Sequence, residues 1–234
     1  EAASPRLSTE WVLPTSGTSG PPKLAVHTLA TLTAAIAPAP PQEWATFYDI
    51  RRYGGLQIFL RALAGQGSLQ ISSPGESIEN FLARLASKHI THISGTPTHW
   101  RKALLAGAPK FIAPPYVRLS GEIADDAVLS GLAEAFPQAQ IEHAYASTEA
   151  GVVFAVADGR AGFPAAWLER REPLEMKLVD GSLRLRTPRR ALRLIGDAPP
   201  LVDAEGFLDT GDMIEIRGDR CHFMGRRGGI INVG

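Results

Sequence analysis

The chain has 234 residues, with 44% hydrophobic and 21% charged residues, which suits a globular protein with room for a sizeable core. Lys+Arg and Asp+Glu are both 24, so there is no net charge to draw the chain to nucleic acid or to an anionic membrane. Cys221 is the lone cysteine, which excludes an intramolecular disulfide, fits a packed side chain and points to a reducing, cytoplasmic setting.

No apolar run approaches the roughly 18 residues of a membrane span, and the start, Glu1 to Arg6, has neither the basic nor the apolar part of a signal peptide. The first residue is not Met, so the sequence reads as a fragment. Trp11–Leu13 and Leu24–Val26 read as two short strands, a hairpin around Thr15-Ser16-Gly17-Thr18-Ser19-Gly20-Pro21-Pro22-Lys23. Residues 28–37 read as a helix closed by the prolines at 38, 40 and 41, a plausible internal boundary.

From residue 43 to about 156 strand-like and helix-like segments alternate. Helices are expected over 55–64, 78–89, 97–105 and 125–136, and strands over 68–71, 90–94, 116–120, 141–143 and 152–156. In the second helix Ile78, Phe81, Leu82 and Leu85 share one face. Asp125 and Asp126 suit the positive start of the last. This rhythm predicts an α/β layer with a mainly parallel sheet and flanking helices. Beyond residue 163 the pattern changes to hairpins. One turns at Asp180-Gly181, a type I′ signal, and another at Gly218-Asp219. A small antiparallel, barrel-like β unit is expected there. The divisions are 1–42, 43–160, 161–225 and 226–234.

The loop at 15–23 combines close-approach glycines, hydroxyl donors and a mobile cation, which is what phosphate oxygens require. It is not a Walker A loop, because its two glycines are three apart and Leu24 follows Lys23. Alone, it would also serve as a Ser/Gly/Pro turn. Four further stretches accompany it: Ser120-Gly121-Glu122, Tyr145-Ala146-Ser147-Thr148-Glu149, Asp209-Thr210-Gly211-Asp212, and Gly225-Arg226-Arg227 running on to Gly234. Taken singly, Tyr145 suits a buried strand end, Glu149 a cap, Asp212 a turn and Arg226 the surface. Together and in this order, the five stretches resemble the signature motifs of the adenylate-forming superfamily, the acyl- and aryl-CoA ligases and their adenylation-domain relatives.

The resemblance implies activation of a carboxylic acid by ATP to an acyl-adenylate, followed by thioester formation with coenzyme A. It equally accommodates transfer to a carrier-protein thiol, and a nucleotide-binding or interaction module without turnover remains a third reading. It implies that Thr15, Ser16, Gly17, Thr18, Ser19, Gly20 and Lys23 hold the β- and γ-phosphates. Tyr145 would stack on adenine, and Ser120, Gly121 and Glu122 would line the adenine and acyl pocket. Thr148 would bond the α-phosphate and Glu149 would hold Mg2+. Asp212 and Arg226 would meet the ribose. Lys23, Thr148 and Glu149 are then the catalytic group.

Several positions depart from the family pattern. Ser120 and Ala146 stand where glycines are usual, and Gly228, Gly229 and Asn232 replace the hinge acids and lysine. Arg51, beside Tyr53 and Gly54, falls where an aromatic or histidine usually guards the acyl pocket, as a cation for a polar or anionic substituent or as a surface arginine. The family also has a longer segment before the loop and a domain after the hinge, so this chain is expected to bind nucleotide weakly and to turn over poorly. The six histidines show no metal-ligand spacing.

Overall fold

A computed structural model of the chain describes residues 9–15, 23–196 and 200–228. The first hairpin forms as expected: β1 (Glu10–Pro14) pairs antiparallel with β2 (Leu24–Thr28), with Leu13 opposite Ala25. Thr28 caps α1 (Leu29–Thr33) through a reciprocal bond pair with Thr31. This helix stops four residues short of the expected end. Ile36 N–H turns back to the Thr33 carbonyl at 2.8 Å, just ahead of the proline run.

The central layer then runs β3 (Glu43–Thr46), α2 (Tyr53–Ala64), β4 (Ser68–Ile71), α3 (Ile78–Leu85), β5 (His92–Gly95), α4 (Pro97–Leu105), β6 (Tyr116–Ser120), α5 (Asp126–Ala135), β7 (Gln140–Ser147) and β8 (Gly151–Val156). The strand order is β4-β3-β5-β6-β7-β8, parallel throughout except for β8. The β7–β8 link is three residues, far too short for a parallel crossover, so β8 folds back as a hairpin.

Alternation along the strands sorts the two faces. Val117 and Leu119 of β6 join Phe81, Leu82, Leu85, Trp100 and Leu132 under α3, α4 and α5. Full burial of such side chains contributes about 1.5–3 kcal/mol each. On the opposite face Trp44 packs with Ile58 and Ala62 of α2, and its ring lies 4.7 Å from His92. That face also carries Arg118, bonded to Glu142, and Tyr116, whose O–H donates to Glu142 at 2.8 Å. Helix α3 ends at Leu85 rather than 89, where Lys88 N–H turns back to the Leu85 carbonyl, and Asp125 caps α5 from outside through Val128 N–H at 2.9 Å.

The last part holds β9 (Phe163–Pro164), β10 (Glu175–Val179), β11 (Ser182–Arg186), β12 (Arg193–Ile195), β13 (Leu208–Arg217) and β14 (Arg220–Arg226). Five of these make an antiparallel sheet in the order β10-β11-β13-β14-β9, with register shifts in β11–β13 and β13–β14. At the β10–β11 turn Asp180 and Gly181 have φ of 50° and 74°, the type I′ pair that the dipeptide predicts. Phe154, Phe163, Met176, Leu183, Leu185, Ile214 and the buried Cys221 form its core. Strand β12 leaves this unit and pairs with β2, so the 161–225 division lends a strand to the sheet begun in 1–42. Among the described residues no helix is long and apolar enough to cross a membrane.

Candidate active site

The end of β7, the turn after it and the β13–β14 pair meet in one place. Tyr145 lies on β7 with its ring stacked on Phe223 at 4.8 Å and tilted against Phe154 at 5.4 Å. Its O–H donates to Asp212. The other carboxylate oxygen of Asp212 accepts Arg226 Nε–H at 3.0 Å. Burial pushes the Asp212 carboxyl above its ordinary range, although Arg226 and the Tyr145 hydroxyl act the other way. Burial, then the Asp212 charge, holds the Tyr145 phenol well above its usual value.

The Asp209–Asp212 turn owes its shape to its own side chains. Thr210 Oγ1 accepts the Asp212 N–H at 3.0 Å and donates to the Leu183 carbonyl at 2.8 Å. Asp209 accepts Gly211 N–H at 3.0 Å and Ser182 Oγ–H at 2.9 Å, and pairs with Arg227 at 2.9 Å. The turn thereby aims Asp212 inward and ties the end of β14 to β13.

Thr148 and Glu149 occupy the three-residue turn between β7 and β8. Gly151 closes it with φ of 77°, and a Cβ there would sit 2.4 Å from the Arg189 carbonyl oxygen, so only glycine fits. Ala150 N–H donates to Ser147 Oγ at 3.0 Å, and the Glu149 carbonyl accepts Ala191 N–H at 2.8 Å. The Thr148 carbonyl lies 2.7 Å from His27 Nε2. The Glu149 carboxylate has no hydrogen-bond or ion-pair partner among the described residues, and it lines open space.

Two cavities adjoin here. A cavity of about 430 Å³ is lined by Lys23, Arg184 and Asp209 among others, and a cleft of about 500 Å³ runs past Tyr145 and Phe223 to Tyr53 and Ile123. Ser147, Glu149 and Arg226 line both. The fold thus brings Lys23, Glu149, Tyr145, Asp212 and Arg226 to one continuous surface, although Lys23 and Arg226 are 203 positions apart in sequence. Thr148, Ser120, Gly121, Glu122, Tyr53 and Gly54 line the larger cleft as well.

Ser120 takes the Tyr48 O–H on its carbonyl at 2.8 Å. Glu122 accepts Thr98 N–H at 2.8 Å, which puts its charge at the positive start of α4. Its second oxygen is buried without a partner among the described residues. Tyr53 opens α2 and is buried against His27, with ring centroids 5.6 Å apart.

Two sequence-predicted positions sit elsewhere. Thr15 is buried at the foot of the loop, where its Oγ1 accepts Lys23 N–H at 3.0 Å and its N–H donates to the Lys23 carbonyl at 2.8 Å. It clasps the two stems and lines neither cavity. The Arg51 side chain is 83% exposed and forks onto Asp49 at 2.8 Å. Its neighbour Arg52 lines the cleft instead, together with Arg101. Ser16, Gly17, Thr18, Ser19 and Gly20 lie outside the described residues, as does the hinge stretch from Gly229 to Gly234. His27 was missed by sequence reasoning, because its partner Thr148 is 121 residues away and no local pattern signals the pairing.

The sequence profile described as "AMP-binding enzyme" matches residues 8–185. The chain belongs to the AMP-binding enzyme family. No curated protein matches it by sequence. Among solved structures it is similar to an arginine-to-lysine variant of E. coli MenE with bound OSB-AMS, at 24% identity and a TM-score of 0.73, covering 92% of this chain and 47% of that one. It is similar to ATP-bound MatB from Rhodopseudomonas palustris, at 18% identity and a TM-score of 0.72, with 92% and 47% covered. It is also similar to the anthranilate CoA ligase AuaEII in complex with anthranoyl-AMP, at 19% identity and a TM-score of 0.74, with 92% and 46% covered. At these identities the likeness is one of fold. It bears out the expected α/β layer with its curled antiparallel β unit. The chain spans about half the length of the structures it matches.

Proposed function

We propose that the chain is the core of an enzyme that uses ATP to activate a carboxylic acid as its acyl-adenylate. The observation that supports this best is the junction at Glu149. A carboxylate with no partner among the described residues stands between a cavity that holds a lysine and a cleft walled by aromatic rings. In this reading the β- and γ-phosphates lie beside Lys23, and Ser16 to Gly20 would supply them with further donors. Thr148 faces the α-phosphate, adenine rests on Tyr145, and the Ser120–Glu122 turn borders adenine and acid. Asp212 uses two of its roughly four lone-pair sites on Tyr145 and Arg226, which leaves acceptors for the ribose hydroxyls.

The residues also fit Mg2+. Among the described residues no group of three or more His, Cys, Asp or Glu could form a closed metal cage. A single carboxylate beside a phosphate site is the arrangement Mg2+ favours, since it takes its other ligands from phosphate and water. When bound, the ion would spread the charge of the phosphates. The protein's own part is placement and electrostatics. An oxygen of the substrate carboxylate bonds to the α-phosphorus as the bond to the bridging oxygen breaks, and pyrophosphate leaves. Lys23 offsets the charge of that leaving group.

In the second step the thiol sulfur, that of coenzyme A in the reading we favour, bonds to the acyl carbon as the bond from that carbon to the phosphate oxygen breaks; AMP leaves and the thiol proton is released to solvent, in the reducing cytoplasm. Glu149, whose carboxylate has no partner among the described residues, weighs against a module without turnover, which has no use for such a carboxylate. At the acid end Arg52 and Arg101 line the cleft, so a polar or anionic substituent would meet these and not Arg51. Replacing Arg52 by alanine should weaken the acid alone, and Arg51→Ala should change nothing in the same acid titration.

Calorimetric titration of the chain with ATP, with and without Mg2+, tests the proposal. The Mg2+-dependent heat should vanish in Glu149→Ala. Equal binding by that variant, or no heat from the wild type at millimolar ATP, removes the reading.

A further inference from the structure

His27 stands outside every motif, yet it reaches the turn on which the chemistry depends. Its side chain is 0% exposed, in the strand that leaves the loop only four residues after Lys23. Nε2 lies 2.7 Å from the Thr148 carbonyl oxygen. A carbonyl can only accept, so Nε2 carries the hydrogen. Nδ1 lies 2.9 Å from Thr31 Oγ1, and Tyr53 covers the ring. The ring is boxed by a carbonyl, a hydroxyl and an aromatic face, and one orientation satisfies all three. Burial holds its pKa below the usual value and favours the neutral ring, despite the Thr148 carbonyl and the Glu149 charge.

We propose that His27 is a positioning residue that sets the Thr148–Glu149 turn relative to Lys23. Among the described residues the turn is also held by the β7–β8 pairing of Ser147 with Gly151, by a backbone contact from Ala191 and by the Ala150 N–H to Ser147 Oγ bond. Among the described residues, only the His27 bond comes from the strand that carries the loop's own exit. Lys23 and Glu149, a cation and a carboxylate of one cavity, are thereby referenced to each other through four residues of β2. A shift of either would separate the groups that must close on one polyphosphate. Tyr53 extends the linkage, because it touches His27 on one side and lines the acid end of the cleft on the other. The inference rests on the adenylation reading for its consequence and on the geometry alone for the linkage.

Two variants test it. His27→Leu removes the donor, and His27→Gln keeps an amide N–H near the position of Nε2. Backbone hydrogen exchange at Thr148, Glu149 and Ala150 should rise about tenfold in His27→Leu, the effect of one lost bond to a buried carbonyl, and return towards wild type in His27→Gln. Exchange at Val117 and Leu119, in the far core, should not move. The Mg2+-dependent part of ATP affinity should fall by about the same factor in His27→Leu and recover in His27→Gln.

Unchanged exchange at the turn in His27→Leu overturns the proposal. So does a rise spread evenly over the molecule, which would make His27 an ordinary core residue. If Glu149→Ala leaves Mg-ATP binding intact while His27→Leu still frees the turn, the adenylation reading fails and the linkage stands.

Discussion

At the Asp212 end of the site the polar side chains are bonded to one another, whereas the Glu149 carboxylate has no partner among the described residues. Asp212 is bonded on both oxygens, its partner Tyr145 is stacked on Phe223, and a turn of reciprocal side-chain bonds aims it. Glu149 sits on a turn held just as firmly through its backbone, but its carboxylate meets open space. The difference fits what each end is proposed to hold. A ribose and a flat base are neutral and need shape and fixed acceptors. A polyphosphate and its metal bring their own charge, and a carboxylate already paired would have to be released to meet them. Asp212 should therefore be a stability residue as well as a binding one, and Glu149 a binding residue alone.

Substitution at Asp212 should give the largest effect on the fold. Asp212→Ala leaves the largely buried Arg226 guanidinium and the Tyr145 hydroxyl without partners. The expected loss is about 3 kcal/mol, on the order of 10 °C in Tm, read by thermal unfolding. A loss near zero would mean that the Asp212 end is not preassembled. Tyr145→Phe should cost less, about 1–2 kcal/mol, because the ring stack and the Asp212–Arg226 pair both survive. Glu149→Gln should lie within about 0.5 kcal/mol of wild type in the same measurement. A large destabilisation there would erase the contrast between the two ends.

Much of this arrangement is legible in sequence, and the illegible parts share a cause. The hairpin around the loop, the helix face of Ile78, Phe81, Leu82 and Leu85, and the Asp180-Gly181 turn are local patterns, and the structure holds each. Glu43–Thr46 and Arg193–Ile195 are strands without a strong local signature, and each is made by its neighbours. The first lies between β4 and β5, and the second takes its register from β2. The reversal of β8 could have been read, since three residues cannot carry a parallel crossover. The candidate site follows the same rule. Tyr145, Glu149, Asp212 and Arg226 are found through short motifs. The replacement of Arg51 by Arg52 at the cleft depends on which way two adjacent side chains leave one loop, and the His27–Thr148 bond depends on tertiary register.

The smallest predicted effect decides which force rules the Asp212 end. Burial raises the pKa of Asp212 and Arg226 lowers it, with burial the larger. A carboxyl whose folded pKa is raised contributes stability that is full below its unfolded value, near 3.8, and is lost as pH rises through the folded value. His27, His92, His99 and His143 act in the opposite sense. Burial lowers each, so their contribution is full above 6.5 and is lost as pH falls through the folded values. Wild type should therefore weaken on acidification from about pH 7, with Asp212 partly offsetting the imidazoles. Asp212→Asn removes the offset and leaves the histidines. Its stability deficit relative to wild type, from urea unfolding, should widen as pH falls from about 7 to about 4. A deficit that narrows over that range would mean that the Arg226 ion pair, and not burial, governs Asp212. The carboxylate would then be held for its charge, and the two ends of the site would be alike.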